Sequence, residues 1–224
     1  MFCVPVTLIC LLAAPGTAAE PAWETVATGA ITVKARPRPD SAVFEVWAEA
    51  DLDAPVKDIQ DTLTTMDRFH RFMPYVRAAK EVSREADGSV YTYTELGLPV
   101  VSDRDYVVRV WLDEGVNPDG SGSFRCHWQA APDKLPARDS LVRVKVNEGR
   151  WEVTPKGNGK SHVVYRFAAD PGGMLPAWAA NYGNRRGVSG TLEAIEKEAQ
   201  RRQKERAATA QKAAQASAVP SPAR

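Results

Sequence analysis

The stretch Asp170-Pro-Gly-Gly173 constrains this chain more than any other, because neither a strand nor a helix interior accommodates it. It ends a β-rich run, Ser161 to Ala169, and Pro176 follows where a first helical turn would not need its missing N–H. From there Trp178, Tyr182, Arg185, Val188, Leu192, Ile195 and Ala199 recur at steps of three or four, a face that is apolar apart from Arg185. Asn184, Arg186, Glu193, Glu196 and Lys197 occupy the other side. The spacing predicts a long amphipathic helix that closes the fold. Its apolar stripe serves either as core packing or as the lid of an apolar pocket.

A chain of 224 residues with 44% hydrophobic content can bury one domain's core, with room for appendages. Its net charge of +1 and the lack of a basic stripe argue against a nucleic-acid partner. Residues 1–19 carry no charged side chain; Val4 to Ala14 is mostly apolar, and Pro15-Gly16 precedes Thr17-Ala18-Ala19. This reads as a secretory signal peptide cut after Ala19. The apolar run is too short to cross a hydrocarbon layer of about 30 Å, and Cys10 lacks the small residues of a lipidation site. Cleavage would leave Cys126 alone, so the mature fold rests on packing without an internal disulfide. In a β-like run, Cys126 reads as a small buried hydrophobe.

Along the chain, Ala30 to Arg36 and Ala42 to Leu52 read as a hairpin across Arg36-Pro-Arg-Pro-Asp-Ser41. Phe44, Val46, Ala48 and Ala50 alternate with Glu45, Trp47, Glu49 and Asp51, the period of a strand with one wet face. Asp53-Ala-Pro55 opens a helix, capped by Asp53, with Val56, Ile59, Leu63 and Met66 on its inner side. A short helical segment, Asp67 to Phe72, ends at Met73-Pro74. Strands are then predicted over Val76 to Arg84, Val90 to Leu96, Arg104 to Leu112, Gly122 to Ala131, Leu141 to Val153 and Ser161 to Ala169. Short links imply antiparallel pairing, and grouped helices imply an α+β class. The domain is expected over 20–206, with a low-complexity tail, frayed helix then disorder, over 207–224.

Catalytic signatures are missing. His70, His127 and His162 have no metal-ligand spacing, and there is no Cys-x-x-Cys, nucleophile elbow or phosphate-binding glycine loop. No cofactor or metal is expected. The informative polar cluster is Tyr91 to Tyr106: Tyr91, Tyr93 and Glu95 share one strand face, and Arg104, Tyr106 and Val108 share one in the next. If the hairpin matches those faces, Glu95 and Arg104 meet, either as a surface pair or as a buried recognition device.

Pro99-Val-Val-Ser-Asp-Arg-Asp-Tyr106, Asp170-Pro-Gly-Gly-Met-Leu-Pro-Ala-Trp-Ala-Ala-Asn181 and Thr191-Leu-Glu-Ala-Ile-Glu196 together resemble the START (StAR-related lipid transfer) family. Trp23, Ala54-Pro-Val-Lys-Asp58 and Phe72-Met-Pro-Tyr75 are similar to it as well. The resemblance implies the helix-grip fold, a curved antiparallel sheet wrapped on the long C-terminal helix, with a hydrophobic cavity holding one lipid or sterol. It also implies polar ligand contacts from Tyr93, Arg104, His127 and Tyr165, and the Glu95–Arg104 pair would then stand at the polar end of the tunnel. The lid would be Met174, Leu175, Trp178 and Tyr182 with the Leu96 to Val101 loop. Along the His127 strand, hydrophobicity alone would instead turn Phe124, Cys126 and Trp128 inward. The expected function is that of an exported, monomeric, non-enzymatic lipid- or sterol-binding or transfer protein that touches membrane surfaces transiently. The rival is an aromatase/cyclase- or hydrolase-like enzyme on the same scaffold, using Tyr, Arg and His for acid–base work.

Overall fold

The computed structural model describes residues 20–38, 43–99, 101–170, 172 and 187–217. The first hairpin has an extra outer strand that patterning missed: β1 (Glu24–Ala27) precedes β2 (Ile31–Pro37) and β3 (Phe44–Leu52). Helix α1 (Val56–Thr64) and a 3-10 helix (Met66–Arg71) follow. Then come β4 (Val76–Arg84), β5 (Val90–Leu96), β6 (Arg104–Glu114) and β7 (Phe124–Ala130). A short β8 (Val142–Arg143), β9 (Val146–Gly157) and β10 (Lys160–Asp170) complete the sheet, and α2 (Val188–Ser217) closes it. The strand order is β1-β2-β3-β10-β9-β7-β6-β5-β4, so the last strand joins the first hairpin to the meander. Every pairing on that path is antiparallel, and this is the predicted helix-grip α+β architecture.

The expected face of α2 is buried: Val188, Leu192, Ile195 and Ala199 pack with Ile59 of α1 and with Val33, Ala48, Val153 and Val163 of the sheet. The helix runs past Arg206 to Ser217, as the alanine-rich sequence there favours. Met174, Leu175, Trp178 and Tyr182 lie outside the described residues, as does the start of the helix predicted at Pro176.

Two local expectations are corrected. Asp53 does not cap α1 with its side chain; Pro55 is the cap residue, and α2 holds the entry to the helix. The Asp53 N–H donates to Glu196 Oε1 at 2.6 Å, and its carbonyl accepts from Gln200 Nε2 at 3.0 Å. The run Leu141 to Val153 is not one strand. Its first part leaves the antiparallel path to pair β8 parallel to β6, with Val142 N–H on the Asp103 carbonyl and Val144 N–H on that of Asp105. Apolar patterning is blind to this break, since Val144 is buried like the inward residues of the strands.

On β3 the predicted alternation holds for Val46, Ala48 and Ala50 and continues to Leu52, whereas Phe44 at the strand end is exposed. The opposite face carries a charge ladder. Arg36 Nε donates to Glu45 Oε2 at 2.8 Å, and Arg166 Nε donates to Oε1. Burial alone would raise the Glu45 carboxyl, but the hydrogen bonds from Arg166 and Arg36 outweigh it and hold the group below the usual glutamate range. A carboxyl with a depressed folded pKa stabilises the fold above the unfolded value of about 4.3, and that stabilisation is lost as pH falls through the folded value. Urea unfolding at pH 7 and pH 3 should therefore show a smaller pH-dependent loss in Glu45→Gln than in the parent. An equal loss in both proteins would remove Glu45 from the acid response.

Candidate functional site: an apolar cavity between sheet and helix

Antiparallel register stacks inward-facing side chains into rows across the sheet. One row runs Cys126, Trp151, Tyr165; the next runs Trp128, Gly149, Phe167. Glycine at 149 is a packing requirement. A Cβ there would come within 2.5 Å of Trp128 Cζ2 and 2.4 Å of the Arg166 carbonyl oxygen, so the indole lies directly over the bare backbone. Tyr165 stacks on Trp151 with centroids 3.9 Å apart and planes 4° apart, and on Phe167 at 4.6 Å. These rings form one wall of a cavity of about 300 Å³, at the lower end of the about 300–1,000 Å³ usual for small-ligand sites. Tyr106, Val108 and Val110 of β6 continue the wall, and Leu63, Met66, Phe69 and Met73 close it from the α1 side. Val188 and Thr191 of α2 close another side, and Leu96 and Leu98 bring in the predicted loop.

Tyr75 also lines the cavity, with φ at +63°. A left-handed conformation is uncommon for a tyrosine, and the Gly97 N–H holds this one by donating to the Tyr75 carbonyl at 2.8 Å.

No Asp, Glu, His, Lys or Arg lies among the described lining residues. The polar groups present are tyrosine hydroxyls, the Cys126 thiol, the Thr191 hydroxyl, the Trp128 indole N–H and the Asn147 amide. The indole is already used, donating to Asn147 Oδ1 at 2.9 Å, and Thr191 Oγ1 donates to the Gly187 carbonyl at 2.8 Å. Burial pushes the Tyr106 and Tyr165 hydroxyls above the ordinary tyrosine value and the Cys126 thiol up to about 12. At pH 7 the Tyr106, Tyr165 and Cys126 groups of the described lining are therefore neutral.

Of the residues expected to face a ligand, Tyr165 lines the cavity. Tyr93, Glu95 and His127 are corrected to the opposite face of the sheet. The register pairs Glu95 with Asp105 and Arg104 with Leu96, one residue away from the pairing that would match Glu95 to Arg104. Because strand faces alternate, that single step places the two side chains on opposite sides. Glu95 instead accepts from Arg138 Nη1 at 2.9 Å and from the Tyr93 hydroxyl at 3.3 Å. His127 stacks on Trp111 with centroids 4.9 Å apart, and its Nδ1 lies 2.8 Å from Asp113. The inward set on that strand is Phe124, Cys126 and Trp128, as alternation alone suggested.

Arg104 is buried on the cavity face of β6, next to the lining residues Leu96 and Tyr106 but outside the lining itself. Its Nη1 donates to the Ser102 carbonyl, and its Nε has no partner among the described residues. Asp105, its neighbour on the outer face, is taken by Arg143: Nε to Oδ1 at 2.8 Å and Nη2 to Oδ2 at 2.9 Å. Sequence reasoning missed Asn147 and Trp151, whose inward orientation follows once β7, β9 and β10 are aligned.

A model of the START domain matches residues 6–207. The chain belongs to the START domain family. This START domain is 28% identical to the STAR-related lipid transfer protein of Xanthomonas axonopodis, which it matches with a TM-score of 0.68 over 80% of this chain and 98% of the other. It is 26% identical to the phosphatidylcholine transfer protein of Mus musculus over 144 residues, 63% of this chain and 66% of that protein. An uncharacterized protein of Pseudomonas aeruginosa is 30% identical over 105 residues, 46% of this chain and 50% of the relative. The START chain thus spans about half to two thirds of the length of these curated relatives.

Proposed function

We propose that this START domain binds and transfers one lipid or sterol, held in the cavity between sheet and α2, without chemical conversion. The observation that carries the reading is the neutral, aromatic cavity inside a fold whose relatives include lipid transfer proteins. An apolar ligand gains about 0.8 kcal/mol for each methylene removed from water, so such a wall suffices for affinity. A few polar groups suffice for orientation. The Tyr165 and Tyr106 hydroxyls and the Asn147 amide would serve for that, and Arg104, whose Nε has no partner among the described residues, stands two residues before Tyr106 on β6.

The enzymatic reading fares worse on the same surface. A general base at pH 7 needs a group that gives up its proton there, and Tyr106, Tyr165 and Cys126 are all shifted the wrong way. A thiol pushed up to about 12 by burial stays protonated at pH 7 and is a poor nucleophile. We further propose that the protein is exported with a mature start near Glu20, acts as a monomer and meets membranes only transiently to exchange its ligand.

Native mass spectrometry of protein purified from its own compartment tests the ligand and the export together. The expected spectrum contains a chain beginning near Glu20 with one lipid or sterol of defined mass. A ligand-free protein under conditions that retain noncovalent complexes would overturn the binding claim. A full-length chain beginning at Met1 in the cytosol would overturn the export claim alone.

A further inference from the structure

A second depression, separate from the cavity and sharing no lining residue with it, lies where the 3-10 helix and α1 meet the distal half of α2. It has a volume of about 480 Å³ and is lined by Arg68, Arg202, Arg206, Asp61, Glu205, Thr209 and Ala210. Both of its carboxylates are matched to cations outside the lining. Asp61 accepts from Lys57 Nζ at 3.0 Å, and Glu205 accepts from Arg201. Two of the three arginines are only partly used. Arg206 Nη2 bonds Asp58 Oδ2 at 2.5 Å, and Arg202 Nε bonds Glu198 Oε1 at 3.1 Å. Among the described residues, Arg202 Nη2 is buried with no hydrogen-bond partner and Arg68 makes no ion pair. The lining groups and their partners therefore comprise five cations (Lys57, Arg68, Arg201, Arg202, Arg206) and four carboxylates (Asp58, Asp61, Glu198, Glu205).

A buried guanidinium N–H without an acceptor is costly, and an unpaired neighbouring guanidinium adds a net positive field. The group that satisfies both is a compact anion with several acceptor oxygens, for which arginine forks are the matching donors. From this geometry we propose that the notch between the 3-10 helix and α2 is a phosphate-binding site, with Arg68 and Arg202 as its principal donors. The phosphate is either free in solution or part of an acidic phospholipid headgroup.

Thermal unfolding of the full chain in inorganic phosphate tests the site, with sodium chloride at matched ionic strength as control. Phosphate should raise the melting temperature saturably while chloride does not. Arg68→Gln removes no internal bond and so should fold normally, yet should shift half-saturation by about tenfold, as should Arg202→Gln. A rise identical in chloride, or unchanged half-saturation in a folded Arg68→Gln, overturns the proposal. Flotation with vesicles of phosphatidylcholine, with and without phosphatidic acid, then separates the sources. Retention only on the acidic vesicles, lost in Arg68→Gln, assigns the headgroup, and saturable phosphate binding without vesicle retention assigns the free anion. The lipid cavity is not involved, so ligand content by native mass spectrometry should be the same in parent and Arg68→Gln.

Discussion

Trp151→Ala should be the most damaging single change in the cavity wall. The indole is 8% exposed, is stacked on Tyr165 at 3.9 Å, and sits in the row that ties β7, β9 and β10 together. Its removal sacrifices transfer energy, the ring contact and packing around the void, a loss of about 3–5 kcal/mol. For a chain of this size each kcal/mol lowers the melting temperature by about 2–4 °C, so a drop on the order of 10 °C is expected by calorimetry. Trp151→Phe should recover more than half of it, because a ring remains against Tyr165. Leu112→Ala, at a side chain that is 60% exposed, should change stability by no more than about 0.5 kcal/mol. Ligand loss from a folded Trp151→Phe protein would locate the lipid against this wall. Full retention of ligand together with full stability would mean that the wall neither holds the fold nor touches the cargo.

The second large effect is expected on the other side of the sheet, at Asp105 and Arg143. Asp105 is fully buried and receives two charge-assisted hydrogen bonds from Arg143. Arg143 Nη1 and Nη2 also donate to the carbonyls of Pro132, Leu135 and Pro136, so one guanidinium pins the segment after β7 across the outer face of β6. Arg143→Leu strands a buried carboxylate and frees that segment, which should cost about 3–5 kcal/mol in urea unfolding. Asp105→Leu with Arg143→Met should regain part of this, since no uncompensated charge remains. Glu95→Gln is the contrast: its partner Arg138 is open to solvent and holds it by a single bond, so the pair should be worth at most about 1 kcal/mol. A mild Arg143→Leu alongside a severe Glu95→Gln would invert this ranking and restore Glu95 as the key carboxylate of the region.

Much of this architecture was legible in the residues alone. Three-four periodicity picked out Val188, Leu192, Ile195 and Ala199 as one buried face, and two-residue alternation picked out Val46, Ala48 and Ala50. Both patterns are local, because a face that must leave water repeats at the period of its own backbone. Alternation likewise placed Cys126 and Trp128 inward and His127 outward. What local pattern could not supply was the alignment of one strand on the next. Matching the Glu95 face to the Arg104 face requires a register for β5 on β6 that differs from the true pairing by a single residue. In a sheet that step exchanges the cavity for the outer surface, and it is set by backbone hydrogen bonds and by what covers each side. Arg143, arriving from β8 nearly forty residues later in the chain, is what claims Asp105, and no spacing rule relates the two. The aromatic wall is of the same kind: Trp128, Trp151 and Tyr165 stand far apart in the sequence, and only the packing of three strands, with a glycine at 149 to admit the indole, brings them into one surface.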